Sequence, residues 1–139
     1  MIRVGTTRRT YVAEHVVYGA IHPDVSFRRV PHLPLAAWTR HPFWNGATVV
    51  LAPERVDLVH LYNDVAWSSR PFVASFEDDY PRGRKHRRAF ALGLAAARSS
   101  RCKALLAMSE FAAGRLRADP LAGPALAAKV RVVPPCVPR

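Results

Sequence analysis

Strand-length apolar runs recur along this chain, and several are apolar at every position instead of every second one. They are Ile2-Arg3-Val4, the run from Val25 to Val30, Thr48-Val49-Val50-Leu51, Leu58-Val59-His60-Leu61, Phe72-Val73-Ala74, Ala104-Leu105-Leu106-Ala107-Met108 and the run from Val130 to Val133. A strand that is apolar throughout is buried on both faces, the condition of a parallel sheet covered by helices; a half-wet antiparallel sheet would alternate. Helical segments separate the later runs, from Lys85 to Ser100 and from Glu110 to Leu116, giving the order βαβαβ. The expected fold is α/β, an open, doubly wound, mainly parallel sheet with helices on both faces.

Two segments carry further expectations. The helix from Lys85 holds Ala89, Phe90, Ala91, Leu92, Leu94, Ala95, Ala96 and Ala97, too much apolar surface for one stripe, so it is expected to pack on more than one side. From Pro31 to Gly46 no period holds, and Pro31, Pro34 and Pro42 interrupt helix and strand alike. This segment reads as a long irregular excursion in which Trp38, Phe43 and Trp44 plug one end of the core, with a lid or binding surface as the other reading.

A chain of 139 residues supports one core. No stretch approaches the roughly 20 apolar residues of a membrane span. Met1-Ile2-Arg3-Val4 enters a strand-like run without the order of a signal peptide, so a cytoplasmic location is expected. Cys102 and Cys136 form no CxxC pair, which excludes a zinc ribbon and argues against a disulfide framework. The net charge of +11 attracts phosphates, anionic lipid headgroups and nucleic acid. Nearly all the cations are arginines in an alanine- and proline-rich chain, so a codon bias accounts for the same composition, and both explanations stay open.

In a parallel sheet the residues just after the strands share one edge. Here they are polar: Thr6 and Thr7, then Tyr62, Asn63 and Asp64, then Glu77, Asp78 and Asp79, then Ser109 and Glu110. Each group taken singly is an ordinary polar loop, with Ser109 capping its helix; together they outline a cleft. The densest signal is the acidic trio Glu77-Asp78-Asp79 followed by Arg82, Arg84, Lys85, Arg87 and Arg88. A helix beginning near Lys85 has a basic first turn that opposes its dipole, which an anionic partner or the acidic trio itself would relieve. A carboxylate at a strand end could act as a general base or hold sugar hydroxyls. Gly5-Thr6-Thr7-Arg8-Arg9-Thr10 contains neither a dinucleotide fingerprint nor a P-loop, no HExxH or GxSxG occurs, and the histidines have no metal-ligand spacing. No cofactor and no metal are expected, and His60 reads as a core residue.

Four motifs in order carry a family resemblance: Val56-Asp57-Leu58-Val59-His60-Leu61-Tyr62-Asn63; Pro71-Phe72-Val73-Ala74-Ser75-Phe76-Glu77-Asp78 with Pro81-Arg82; Ala104-Leu105-Leu106-Ala107-Met108-Ser109-Glu110-Phe111; and Lys129-Val130-Arg131-Val132-Val133-Pro134-Pro135-Cys136-Val137. This set resembles the N-terminal half of group 1 (family 4) retaining glycosyltransferases. The resemblance implies one of two Rossmann-like domains of a GT-B enzyme, with residues 1–133 the acceptor-side domain and residues 134–139 a proline-rich hinge stub toward a missing C-terminal domain. The complete enzyme would move a sugar from a nucleotide sugar, held by the other domain, to a hydroxyl acceptor with retention, and the isolated chain would be inactive. It places Glu77 and Asp78 at the reaction, Tyr62, Asn63, Arg82, Ser109 and Glu110 near the acceptor, and Thr6 and Thr7 near the donor phosphates. Arg84, Lys85, Arg87 and Arg88 would meet a lipid-linked acceptor or the inner membrane face. The runner-up is a small basic nucleic-acid-binding α/β protein, and the third reading is a Rossmann-like scaffold without chemistry.

Overall fold

A computed structural model describes residues 1–7, 23–51, 53–81 and 85–134. Its elements run β1 (Ile2–Thr6), β2 (Val25–Arg29), β3 (His32–Pro34), α1 (Leu35–Thr39), β4 (Ala47–Val50), β5 (Leu58–Tyr62) and β6 (Val65–Trp67). There follow β7 (Phe72–Phe76), α2 (Arg87–Arg98), β8 (Cys102–Ala107), α3 (Glu110–Arg117), α4 (Gly123–Ala127) and β9 (Val130–Val132). All seven expected runs are strands. Six of them form one sheet in the order β2-β1-β5-β7-β8-β9, and every neighbouring pair is parallel. The fold is therefore α/β and Rossmann-like. Consecutive strands run outward from β1 in both directions, so the order reverses between β1 and β5, and the carboxyl ends of those two strands flank the switch point.

The core follows the strand period. Val59 and Leu61, Phe72, Ala74 and Phe76, and Leu105 and Ala107 alternate along their strands and join Phe90, Leu94 and Ala97 of α2, Ala112, Ala113 and Leu116 of α3, and Leu126 of α4 in one buried cluster. The expectation of helices on both faces is met on this one face by the described residues. Gly5 sits where the first strand crosses the cluster: a Cβ there would meet Val30 Cγ1 at 2.7 Å and both Val56 methyls at 3.1 Å.

Two readings are corrected. The run Thr48-Val49-Val50-Leu51 is not in the large sheet; as β4 it pairs antiparallel with β3 and parallel with β6 in a separate three-stranded sheet. The segment from Pro31 to Gly46 is likewise no irregular excursion, since it holds β3, α1 and a 3-10 turn at Pro42–Trp44. Its Pro34 lies at the end of an edge strand, where a missing N–H is tolerated. Trp38 is exposed and plugs nothing, whereas Phe43 and Trp44 are half-buried. Helix α2 buries Phe90, Leu94 and Ala97 and touches β8, α4 and β6 of the small sheet, so it packs on more than one side as expected, while Ala91, Leu92 and Ala95 stay exposed.

The two ends of the helices differ. Ser109 Oγ accepts the Ala112 N–H at 3.1 Å, Glu110 occupies the first turn of α3 and Arg115 and Arg117 its last, all in the sense the helix dipole favours. Helix α2 has no acid in its first turn and no side-chain cap at His86. Its far end is instead closed by Lys129, whose Nζ donates to the carbonyls of Ala97, Arg98 and Ser99.

Candidate functional site

The parallel register brings the carboxyl ends of β1, β5, β7 and β8 side by side. Thr6 pairs with His60, Tyr62 with Ser75 and Phe76 with Ala107, so each polar group leaves its strand beside the next. Two backbone bonds extend the ladder past the strand ends, Asn63 N–H to Ser75 O at 2.7 Å and Met108 N–H to Phe76 O at 2.9 Å. This makes one continuous rim in which Thr6 and Thr7 stand at the switch point, Tyr62 and Asn63 beside them, Glu77 and Asp78 next, and Ser109 and Glu110 last.

The side chains along the rim have distinct tasks. Thr6 and Thr7 are buried. Tyr62 is buried too, and its hydroxyl donates toward Met108 Sδ at 3.8 Å, bracing the end of β5 to the end of β8. Asn63 is buried with φ of 57°, the left-handed conformation that Asn tolerates better than most residues, and its Oδ1 accepts the Glu77 N–H at 3.3 Å. The Glu77 backbone is thereby fixed, while its side chain lies at the surface. Asp78 and Asp79 both meet Arg115 of α3, at 2.5 and 2.9 Å, so two of the three acids reach a cation beyond the basic run that follows them in sequence. Glu110 is exposed and reaches Arg117 at 3.9 Å. Lys85, Arg87 and Arg88 are exposed at the start of α2. Arg82, Arg84 and residues 135–139 of the expected hinge lie outside the described residues.

Sequence reasoning missed Arg115 and assigned no contact to Phe111 or Asp64. Arg115 sits one helical turn beyond Phe111, with its guanidinium carbon 5.7 Å from the centroid of that exposed ring. Spacing after the Ser109 cap could have paired these two. Asp64 ties the rim to the small sheet, accepting from Thr48 Oγ1 through Oδ2 at 3.3 Å and from the Tyr80 hydroxyl through its carbonyl at 3.3 Å.

Burial sets the ionisation of the groups beneath. His60 is neutral near pH 7, its pKa pushed down to about 4 by burial, which agrees with its reading as a core residue. Burial pushes the Cys102 thiol up to about 11 and the Tyr80 phenol well above its ordinary value, so neither is a ready nucleophile. Among the described residues no group of three His, Cys, Asp or Glu side chains is arranged to hold a metal ion, and no helix is long and apolar enough to cross a membrane. The rim can thus bind by hydrogen bonds: an exposed carboxylate, an arginine-bound acidic pair and a serine hydroxyl that accepts from the helix and keeps its own proton to donate.

Compared with known proteins, the chain matches no protein-family model, no curated protein and no solved structure.

Proposed function

We propose that this chain forms the acceptor-side domain of a retaining glycosyltransferase of the GT-B type, working against a second domain that holds the nucleotide sugar. The observation that carries the reading is the rim: four neighbouring parallel strands end in Thr6-Thr7, Tyr62-Asn63, Glu77-Asp78 and Ser109-Glu110, the last three closing the first three of the four motifs. Ligands of open α/β sheets bind outside the carboxyl ends of the strands near the switch point.

In this reading Glu77, held at its N–H by Asn63, accepts a hydrogen bond from the acceptor hydroxyl and takes its proton as the oxygen bonds to the anomeric carbon and the bond to the diphosphate breaks. Asp78 is clamped by Arg115 and acts by fixing the turn that carries Glu77. Ser109 and Tyr62 bound the acceptor site, and Thr6 and Thr7 face the side where donor phosphates approach. Transfer needs both domains, so the chain alone is inactive.

The test is a titration of the isotope-labelled chain with methyl glycosides of glucose, mannose and N-acetylglucosamine, read by backbone amide shifts. Saturable shifts at Asn63, Glu77 and Ser109 for one sugar support the reading, with Glu77→Ala weakening that binding at least tenfold, the loss of a hydrogen bond to a charged group worth about 1.5–3 kcal/mol. If no glycoside moves the rim, or a DNA duplex alone does, the reading fails in favour of the basic nucleic-acid-binding alternative.

A further inference from the structure

Helix α2 carries an outward face that the rest of the fold leaves bare. At about 100° per residue, Arg87, Ala91, Ala95, Arg88 and Leu92 fall within one arc of about 140° that borders the buried stripe at Arg87 and runs outward from it. All five are exposed, and so is Lys85 just before the helix. Lys85, Arg87 and Arg88 have no ion-pair or hydrogen-bond partner among the described residues, since the rim acids Asp78 and Asp79 are engaged by Arg115. The positive end of the helix dipole adds to their field, because no acid occupies the first turn.

Beside this face lies an apolar crevice between α2 and the small sheet, walled by Phe43, Trp44, Trp67, Pro81, Ala89 and Leu92. Leu92 is 52% exposed and Trp67 43%, so two large apolar groups stand at its mouth next to the cations. Leu92 follows Arg88 by one helical turn, which puts an aliphatic group and a guanidinium on the same surface.

We propose that this face docks on a bilayer containing anionic lipid, with Leu92 and Trp67 entering the headgroup region and Lys85, Arg87 and Arg88 meeting lipid phosphates. Membrane surfaces select this pairing of basic groups with an aliphatic and a tryptophan side chain, the cations supplying attraction and the apolar groups a few ångströms of burial. A nucleic acid would take the cations and waste the rest. Leu92 offers no π face, and Trp44 stands edge-on to Trp67 at 5.7 Å and 87° instead of opening a row of stacking platforms. The inference goes beyond the proposed sugar transfer and does not depend on it, because no sugar enters its measurement.

The experiment is co-sedimentation of the full chain with phosphatidylcholine vesicles, with and without phosphatidylglycerol, alongside a short DNA duplex at the same salt. The chain is expected to bind the anionic vesicles only, less tightly as salt rises, with a blue shift of tryptophan emission. Each cation near the surface contributes about fivefold, so the triple variant Lys85→Ala, Arg87→Ala, Arg88→Ala should lose on the order of a hundredfold in partitioning. Leu92→Asp should abolish the blue shift and weaken binding. All four positions are exposed, so thermal melts should match those of the parent chain. Equal binding to neutral vesicles, duplex binding without vesicle binding, or vesicle binding that survives either the triple variant or Leu92→Asp unchanged would each overturn the proposal.

Discussion

His60 and Ser75 meet across the β5–β7 pair with Nε2 and Oγ 2.8 Å apart, both buried. Burial holds the imidazole at about 4 against an ordinary 6.5, so the unfolded chain binds the extra proton first. Between those two values stability must fall as pH falls. A gap of 6.5 − 4 amounts to about 3.5 kcal/mol at about 1.4 kcal/mol per unit, fully lost below the lower value. Asp57, held down to about 2 by its pairing with Arg3, loses its own contribution only as pH drops from its ordinary 3.8 through about 2. The two windows are therefore separate. Urea melts from neutral pH to about pH 4 should show the first loss, and His60→Gln should flatten it; an unchanged slope in that variant would place the acid sensitivity elsewhere.

Gly93 is the point at which α2 touches the loop from β7. A Cβ there would stand 2.5 Å from Pro81 Cγ and 3.2 Å from its Cβ, and the proline ring cannot swing away. In an open helix, glycine to alanine gains up to about 1 kcal/mol. Overpacking a tight contact costs about 1–3 kcal/mol, and here it wins. Gly93→Ala is expected to lower the melting temperature, whereas Gly114→Ala in α3, with nothing within 4 Å, should raise it. A stabilised Gly93→Ala would mean that α2 does not sit this close.

The strand runs and the two long helices were legible because burial on both faces leaves continuous apolar stretches, and Ser109 was legible as a cap because few residues start a helix as well. Three-residue β3 and β6 were not, since His32-Leu33-Pro34 and Val65-Ala66-Trp67 are too short to show a period. Periodicity also cannot say which sheet a strand joins, so β4 was assigned to the wrong one. The outward Ala91, Leu92 and Ala95 of α2 imitate core because alanine and leucine favour helices whether buried or not. The rim itself followed from parallel order, but Arg115 as partner of Asp78 and Asp79 depends on how α3 packs, which no local pattern encodes.

Lys129 closes α2 from a distant part of the chain. Its Nζ donates to Ala97 O at 3.0 Å, Arg98 O at 2.9 Å and Ser99 O at 2.6 Å, using all three ammonium protons on carbonyls that have no partner within the helix. The charge also suits the negative end of the dipole. Lys129→Met keeps the stem and removes the donors, and should cost about 2 kcal/mol in denaturant titrations because water satisfies part of the exposed carbonyl array. Lys129→Arg should recover only part of that, since a planar fork cannot converge on three carbonyls as an ammonium does. Full recovery by arginine would show that charge alone, and not the threefold donation, holds the helix end.

Asn63 joins two requirements that separate under substitution. Its φ of 57° disfavours any residue with a Cβ that lacks a compensating local bond, and its Oδ1 holds the Glu77 N–H. Asn63→Gly keeps the backbone conformation and gives up the bond, while Asn63→Ala gives up both, so alanine should destabilise by about 1–2 kcal/mol more than glycine. Both variants should move the Glu77 amide resonance by the same loss of its acceptor. Equal destabilisation by the two would mean that the left-handed turn is not what Asn63 supplies, whereas an unmoved Glu77 amide would remove Asn63 from the positioning of the rim carboxylate.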